Sequence, residues 1–352
     1  MFPQPDLIAA LRRGWPGAVK SAGEKSTLHL AADSIPSGEC VAVATSGGAD
    51  SAMLAAHASL IARERGAPII LFHVHHGLQV AADGWADHVQ ALGKTLGVRV
   101  ATAYAQVEND SGLGIEAAAR DARYSALSEL AQRHDVRHIL LAHHQNDQAE
   151  TVLLRLLRGT GPEGMAAMAP SMQRDGITYH RPWLDQSRAR ILQAAQAFAQ
   201  QYLWHAVQDP TNADPRYTRA AVRELLTPVL DVRWPGWQKR LSSHARHAAE
   251  SNSILDEVAQ SDFAGLQPSP DGISFSLAQW RSLSPARQSL ALRYWLRRNG
   301  ARMPTEARLA DLLRQLRQLH SLGHDRHMKV AHGDHVVQCH RGRVWIEPRT
   351  DA

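Results

Sequence analysis

Residues 41–51 read Val-Ala-Val-Ala-Thr-Ser-Gly-Gly-Ala-Asp-Ser, and this stretch decides the fold of the chain. A short apolar run, Val41 to Ala44, stops at a polar turn that contains two glycines. Apolar residues at helical spacing follow from Met53 onward. This order predicts a strand, a tight turn and a helix.

The turn itself, Ser46-Gly47-Gly48-Ala49-Asp50-Ser51, is suited to binding an anion. Because Gly47 and Gly48 have no side chains, successive backbone N–H groups can surround a phosphate at the positive end of the helix. The two serine hydroxyls can donate to the same oxygens, and Asp50 can bind magnesium or cap the helix. An ordinary strand-to-helix turn uses the same residue types and stays open as an alternative. The turn fits neither GxxxxGK nor GxGxxG, so those two nucleotide-binding loops are excluded.

Apolar runs and helical patterns alternate after the turn. The runs are 69–73, 98–104 and 139–142, and the helical patterns are 81–96, 115–133 and 148–157. Such alternation predicts an α/β fold with a parallel sheet covered on both faces. In these sheets ligands bind at the carboxyl ends of the strands, which is where the candidate motifs fall.

The rest of the chain divides at its glycine, proline and tryptophan breaks. We expect a loop-rich passage from Gly159 to Pro182, and two helices between Ser187 and Leu230. Beyond residue 234, helices near 237–260, 285–298 and 306–319 and strands at 328–331, 336–340 and 344–347 predict a smaller α+β domain. The predicted domain organisation is a lead-in 1–38, an α/β domain 39–185, a helical extension 186–233 and a C-terminal α+β domain 234–352.

Bulk composition narrows the class of protein. The chain has 352 residues, 44% hydrophobic and 21% charged, which is typical of a globular protein. Its net charge of +5 suits a polyanionic partner. The two cysteines, Cys40 and Cys339, form no CxxC pair, so we expect neither a disulfide framework nor a zinc ribbon.

No apolar run could cross a membrane and no signal-peptide pattern begins the chain, so we expect a cytoplasmic protein without a membrane partner. The oligomeric state stays open, a homodimer included.

Three further segments contain candidate site residues. In His73-Val74-His75-His76-Gly77 only His73 and His75 share a strand face, so a bend beside a nucleotide at His76 is favoured over a metal site, with an ordinary strand end as the alternative. Arg120 and Arg123 share one face of a predicted helix with Glu116, and either clamp polyphosphate or support the helix through Glu116. Asp147 and Glu150 stand one turn apart at a helix start. They either bind magnesium or a cationic substrate, or form a capping box.

The ordered motifs resemble one known family. SGGADS at 46–51, HHGL at 75–78, GIEAAARDARY at 114–124 and HHQNDQAETVLLRLLRGTG at 143–161 resemble the tRNA(Ile)-lysidine synthetases, which belong to the N-type ATP pyrophosphatases. HRPWL at 180–184 and DPTNADPRYTRAAVR at 209–223 continue the resemblance. It covers roughly residues 39–230 with specific motifs and 235–348 more loosely.

The resemblance implies a Rossmann-like PP-loop domain, ATP and Mg²⁺, and a defined reaction. ATP would adenylate the carbonyl oxygen at carbon 2 of the wobble cytidine in tRNA(Ile) with anticodon CAU, releasing pyrophosphate. The ε-amine of free L-lysine would then displace AMP, leaving lysidine. The chain is therefore expected to be an ATP-dependent ligase that forms a carbon–nitrogen bond.

The expected roles follow residue by residue. The turn 46–51 holds the β and γ phosphates, with Asp50 on magnesium and His76 near the nucleotide. Arg120 stabilises charge on the separating phosphates, while Asp147 and Glu150 position lysine or metal. The expected tRNA path carries Arg181, Asn212, Arg216, Arg219 and Arg223, with Lys239 and Arg240 beyond. A solvated helix face is the alternative for these basic residues.

Some positions depart from the family pattern. Asn146 stands where many relatives have Asp, which leaves a metal role of that position open, and His75 replaces a common Asp. We expect the further C-terminal domain of longer relatives to be absent, with part of the tRNA contact missing or redistributed. A thiolase would need CxxC pairs and an amidotransferase a glutaminase cysteine. A PP-loop tRNA-modifying enzyme of other specificity and a non-catalytic ATP-sensing module stay open as alternatives.

Overall fold

The apolar run before the glycine turn forms a strand inside a six-stranded sheet. The strands are β1 Val41–Ala44, β2 Ile69–His75, β3 Arg99–Tyr104, β4 His138–Leu140, β5 Ser171–Arg174 and β6 Ile177–His180. Their order is β3-β2-β1-β4-β6-β5, and every neighbouring pair is parallel except β5 with β6. The prediction of a largely parallel α/β sheet is confirmed.

The computed structural model describes residues 2–13, 39–75, 82–105, 115–207, 214, 218–319 and 327–349. The chain divides into two compact units, Met1–Ala248 and Ala249–Ala352. Each unit contains one of the two sheets. The domain limits predicted at residues 38, 185 and 233 stay predictions.

Helices cover both faces of the first sheet. The helices of this part of the chain are α1 Pro5–Arg13, α2 Ala49–Arg65, α3 Ala82–Leu96, α4 Ile115–Arg133, α5 Gln145–Leu157, α6 Pro162–Met165, α7 Arg188–Tyr202, α8 Thr218–Ala221, α9 Thr227–Arg233 and α10 Trp237–Gly265, which continues into the second unit. Val41 and Val43 of β1 pack into one core with Phe198 of α7. Ala42, which points the other way, packs into a second core with Leu127 of α4. This alternation is the period of two that a strand imposes.

The passage from Gly159 to Pro182 was predicted as loop-rich, and the prediction missed the hairpin of β5 and β6. Asp175 and Gly176 form its two-residue turn, with φ of 54° and 76°. Asp-Gly with positive φ at both positions is a strong hairpin signal. The strands have only four residues each, too few to show a clear apolar alternation.

The order of the strands puts the expected ligand site at the carboxyl ends of β1 and β4. β1 pairs with β2 on one side and with β4 on the other, so the chain leaves the carboxyl ends of β1 and β4 in different directions. Open α/β sheets bind ligands in the crevice at such a switch point. The glycine turn after β1 and the residues from His143 onward therefore meet there.

The second unit is an α+β structure, as predicted. Its strands β7 Ser274–Ser276, β8 Met328–His332, β9 His335–His340 and β10 Arg343–Pro348 form an antiparallel sheet in the order β7-β10-β9-β8. Its further helices are α11 Leu277–Ser282, α12 Pro285–Arg298 and α13 Glu306–Gln318. Trp280, Trp295 and Phe275 are fully buried in the core between helices and sheet. Within the described ranges, no helix has the length and apolar character needed to span a membrane.

A buried histidine joins the N-terminal segment to α2. The Nδ1–H of His57 donates to the Met53 carbonyl at 2.7 Å, and Nε2 accepts from the backbone N–H of Gln4 at 3.2 Å. Burial lowers the pKa of His57 to about 4, although the bond to Met53 opposes this effect. The folded protein therefore holds this ring neutral where the unfolded chain would protonate it.

We expect His57 to make the first unit sensitive to acid. The unfolded chain binds a proton near pH 6.5 and the folded chain only near pH 4, so stability is complete above that window and is lost as pH falls through it. Between about pH 7 and about pH 4.5 the wild type should lose about 2 kcal/mol more free energy of unfolding than His57→Phe. Urea unfolding at both pH values measures this, and equal losses in the two proteins would contradict it.

Candidate active site

The turn after β1 is fixed by backbone contacts on both sides. The N–H of Thr45 donates to the Phe72 carbonyl of β2 at 2.8 Å, and the Gly47 carbonyl accepts from the Val207 N–H at 3.0 Å. Gly47 has φ of 88°, a backbone conformation that residues with a Cβ rarely adopt. His73 donates from Nδ1 to the Thr45 carbonyl at 2.9 Å, so this histidine supports the turn from beneath.

Two serines hold the turn together from within. The Ser51 Oγ accepts from the Ser46 N–H at 3.0 Å and lies 3.1 Å from the Ser46 Oγ. α2 then begins at Ala49, and its N-cap residue, Gly48, provides no side-chain hydrogen bond. The N–H groups of the first helical turn are thus not satisfied by a side-chain cap, and with the helix dipole they favour an anion. This local geometry suits an anion, and phosphate binding by the turn stays a prediction.

Asp50 lies in the first turn of α2 and faces two basic groups. Its Oδ1 is 3.7 Å from His144 Nε2, and its Oδ2 is 3.7 Å from Arg188 Nε. These separations exceed hydrogen-bond length, and Oδ1 is buried with no hydrogen-bond partner. Burial raises the pKa of Asp50, but His144 and the charges of Arg188 and Arg223 outweigh burial and lower that pKa on balance. Asp50 is therefore a half-buried, charged carboxylate, and its buried Oδ1 has no hydrogen-bond partner.

His144 connects Asp50 to the start of α5. Its Nδ1 accepts from the Asp147 N–H at 3.3 Å, and the Asp147 Oδ2 accepts from the His144 N–H at 3.0 Å. This is a capping box, so the capping alternative is partly right, but its members are His144 and Asp147, with Glu150 outside it. Burial lowers the pKa of His144, yet Asp50 and Asp147 raise it on balance. The ring is held between two carboxylates.

Arg223 binds both carboxylates of α5. Its Nε donates to Glu150 Oε1 at 2.7 Å, and its Nη2 donates to Glu150 Oε2 at 2.9 Å and to Asp147 Oδ1 at 3.2 Å. Burial lowers the pKa of Arg223, but the bond to Glu150 and the nearby carboxylates outweigh it and raise that pKa. Arg223 lies in a π-helical turn, Val222–Leu226, between α8 and α9. Sequence reasoning placed Arg223 on the tRNA path and missed this pairing.

Arg120, Arg219 and Arg181 are three further basic residues that the sequence assigned to the site, and their contacts differ. Arg120 is exposed, with Nη2 3.4 Å from the Tyr124 hydroxyl. Arg219 donates to Thr151 Oγ1 at 3.4 Å. Arg181 is only 4% exposed, and its guanidinium donates to the Ala169 carbonyl and the Met172 sulfur. Arg181 is therefore an interior cation rather than a surface one.

Three predicted site residues, His76, Asn212 and Arg216, lie outside the described residues. The departure at Asn146 has a local explanation, since its Oδ1 accepts from the Arg188 N–H at the start of α7 at 3.1 Å. Sequence reasoning did not single out His144 or Arg188 as partners of Asp50. The repeated histidine directly after a strand was the available signal for His144, whereas nothing in the sequence pointed to Arg188.

Comparison with known proteins agrees with this geometry. A family model described as a PP-loop domain matches residues 20–230, and one described as the TilS substrate binding domain matches residues 275–345. A U34-tRNA thiolase from Methanococcus maripaludis has a similar fold, with a TM-score of 0.54 and 14% identity over 70% of this chain and 78% of that one. The glycine turn on this sheet defines a PP-loop protein that uses ATP.

Two curated relatives narrow the class. The tRNA(Ile)-lysidine synthase of Bordetella pertussis is 64% identical over 87% of this chain and 95% of the relative. That of Alkalilimnicola ehrlichii is 38% identical over 91% of this chain and 69% of the relative. The chain belongs to the tRNA(Ile)-lysidine synthase family.

We expect Arg223→Gln to destabilise the first unit by about 2 kcal/mol at neutral pH, because two buried carboxylates then face each other without their shared cation. Arg223→Lys keeps the charge but loses the two-pronged bond to Glu150, so its loss should be smaller. Urea unfolding of the three proteins measures the difference. If the glutamine variant were as stable as the wild type, Arg223 would not be what neutralises this pair.

Proposed function

We propose that this chain uses ATP to join free L-lysine to carbon 2 of the wobble cytidine of tRNA(Ile) with anticodon CAU. The product would be lysidine, formed through an adenylated cytidine with release of pyrophosphate and AMP. One observation carries the proposal: the glycine turn with Asp50 meets the carboxylates Asp147 and Glu150 across the ring of His144. A phosphate-binding turn beside a cation-binding pair is what a reaction between ATP and an amine requires. The 64% identity to a tRNA(Ile)-lysidine synthase supports it independently.

The turn from Ser46 to Ser51 is the proposed site of the β and γ phosphates. The helix N-terminus at Ala49 offers backbone N–H groups, and the hydroxyls of Ser46 and Ser51 lie 3.1 Å apart at the same turn. Because Gly47 and Gly48 have no side chains, the backbone N–H groups of this turn stay accessible to phosphate oxygens. His76, which follows β2, is proposed to lie near the nucleoside.

Asp50 is the proposed magnesium ligand. Its buried Oδ1 has no hydrogen-bond partner, and this supports a role as a ligand of a cation. Magnesium commonly takes one or two protein carboxylates and completes its shell with phosphates and water, so one aspartate suffices. When bound, the ion would neutralise charge on the polyphosphate.

Asp147 and Glu150 are the proposed contacts of an ammonium group of lysine. Both are buried, and the cation they now bind is the guanidinium of Arg223. An incoming ammonium would share the pair with Arg223 or take its place. The attacking amine must first lose a proton, and the two carboxylates and His144 are groups at this edge that could accept it. Arg120 is proposed to stabilise charge on the separating phosphates.

The proposed tRNA path runs over the basic residues of the helical region. Arg219 with Asn212 and Arg216, and exposed Lys239 and Arg240 of α10, would contact the backbone, while buried Arg181 would add charge. The match of residues 275–345 to a substrate binding domain supports a second contact on the other unit. With tRNA as substrate, the proposed location is the cytoplasm. A homodimer stays a prediction.

We expect the protein to transfer labelled L-lysine to a transcript of tRNA(Ile) with anticodon CAU when ATP is present. A transcript with cytidine 34 replaced by uridine and a reaction without ATP are the controls, and labelled L-norleucine, which lacks the ε-amine, should not react. Pyrophosphate release should accompany the label. ATP binding without any transfer would favour the ATP-sensing alternative.

We expect Asp50→Ala to abolish tRNA-dependent pyrophosphate release while the protein still unfolds cooperatively. The proposed reason is loss of the magnesium ligand and not loss of fold. Glu64→Ala, at the other end of α2, removes only an exposed ion pair with Arg12 and should keep wild-type activity. Wild-type turnover by Asp50→Ala would remove the magnesium assignment.

A further inference from the structure

Arg188 has its positive charge at a place where the helix itself disfavours one. It is the first residue of α7, Arg190 follows in the same turn, and this turn contains no acidic residue. Because a helix N-terminus is the positive end of the helix dipole, cations there are destabilising. Arg190 is compensated by Asp6, at 2.6 Å. The ion-pair partner of Arg188 is Asp50, so the reason for a cation at this position lies in the site and not in the helix.

Contacts between the starts of α5 and α7 fix the backbone at Arg188. The Arg188 N–H donates to the Asn146 Oδ1 at 3.1 Å, and the Gln145 N–H donates to the Gln186 carbonyl at 2.9 Å. The segments that lead into the two helices therefore lie side by side at the edge of the sheet. This arrangement brings the first residue of α7 next to the first turn of α2.

The guanidinium of Arg188 keeps its donors available. Its Nε lies 3.7 Å from the Asp50 Oδ2, which exceeds hydrogen-bond length. No residue in the described part of the chain forms a hydrogen bond with this guanidinium, and the side chain is 46% exposed. Arg223 differs, since it donates three bonds to two carboxylates. Arg188 thus compensates the charge of Asp50 without being fixed to it.

This arrangement permits the partner of Asp50 to change. A divalent cation on the same carboxylate would be repelled by the guanidinium, because like charges a few ångströms apart oppose each other. A polyphosphate would remove the opposition. It would neutralise the cation and also offer the guanidinium oxygen acceptors, to which arginine donates paired N–H bonds.

We propose that Arg188 is an exchangeable counter-ion of Asp50, which neutralises the carboxylate in the empty enzyme and turns to the polyphosphate when ATP binds. Asp50 would then take Mg²⁺ together with ATP and only weakly without it. This inference rests on the proposed function, in which Asp50 binds magnesium and the turn 46–51 binds the phosphates. It adds Arg188 to that site and gives the order in which the site fills.

The test measures two affinities of the full chain in the absence of tRNA. Mn²⁺ is the probe for the metal alone, because it takes the same oxygen ligands as Mg²⁺, and electron paramagnetic resonance measures its free fraction. Calorimetry measures the affinity for ATP in the presence of Mg²⁺. The variants are Arg188→Gln, Arg188→Lys, which keeps the charge, and Arg190→Gln, the matched control in the same helical turn. Thermal unfolding verifies that each variant folds.

We expect Arg188→Gln to bind Mn²⁺ alone roughly 10-fold more tightly than the wild type and ATP with Mg²⁺ roughly 10-fold more weakly. A purely structural role of Arg188 would weaken both. Arg188→Lys should bind Mn²⁺ as the wild type does, and Arg190→Gln should leave both affinities unchanged. Adding Asp50→Ala to Arg188→Gln should remove the gain in Mn²⁺ affinity, since the gain belongs to that carboxylate.

A fall in both affinities, a change in only one of them, or no change would overturn the exchange. A Mn²⁺ gain that survives Asp50→Ala, or that Arg188→Lys or Arg190→Gln reproduces, would also overturn it. Lysine transfer by the wild type, measured alongside, separates this result from the proposed function. If the wild type transfers lysine but the two affinities do not move in opposite directions, only the role of Arg188 is wrong. If the affinities move as expected and no lysine is transferred, the proposed function fails and the exchange stands.

Discussion

The site depends on the contacts of the His144 ring, which lies between Asp50 and Asp147. Asp50 belongs to the helix after β1, and Asp147 to the helix after β4, so the ring lies between the glycine turn and the carboxylate pair Asp147 and Glu150. Three constraints fix the ring: extended backbone paired to Trp183, the capping box with Asp147, and near-complete burial. A side chain held on three sides can position its neighbours to a fraction of an ångström, which reactions between two bound substrates require.

The edge of β4 separates charge of opposite sign. On the α2 side lie Asp50, Asp147 and Glu150, with Arg223 as their partner. On the α4 side Arg120 and Arg123 lie beside the Tyr124 ring, and their charges with those of Arg181 and Arg219 act on His143. A strand end can do this because successive side chains point to opposite faces. The two histidines give the same residue type two roles, one ring with a raised pKa beside carboxylates and one with a lowered pKa among arginines.

Much of the fold was predictable because it is encoded locally. The run before Gly47 and the alternation after it specify the parallel sheet, since apolar period and glycine position are properties of neighbouring residues. The turn and the pair Asp147 and Glu150 could be found for the same reason. The contacts of Arg223 with Glu150 and of Arg188 with Asp50 could not be found, because each joins residues far apart in sequence whose approach depends on the folded chain. The buried state of Arg181 was unpredictable for a related reason: an arginine in a turn-rich stretch is usually solvated.

The π-helical turn Val222–Leu226 has a consequence for how the family's helical region can vary. Its wide ring, in which the Thr227 hydroxyl reaches back to the Val222 carbonyl, contains one residue more than an α-helix would need. Loss of a single residue there would restore regular winding and rotate α8 by about 100° relative to α9. Arg219 would then move away from Thr151. Whether Arg223 kept its contacts with Glu150 and Asp147 would depend on which residue was removed. The length of this turn is therefore constrained as strictly as the identity of Arg223 within it.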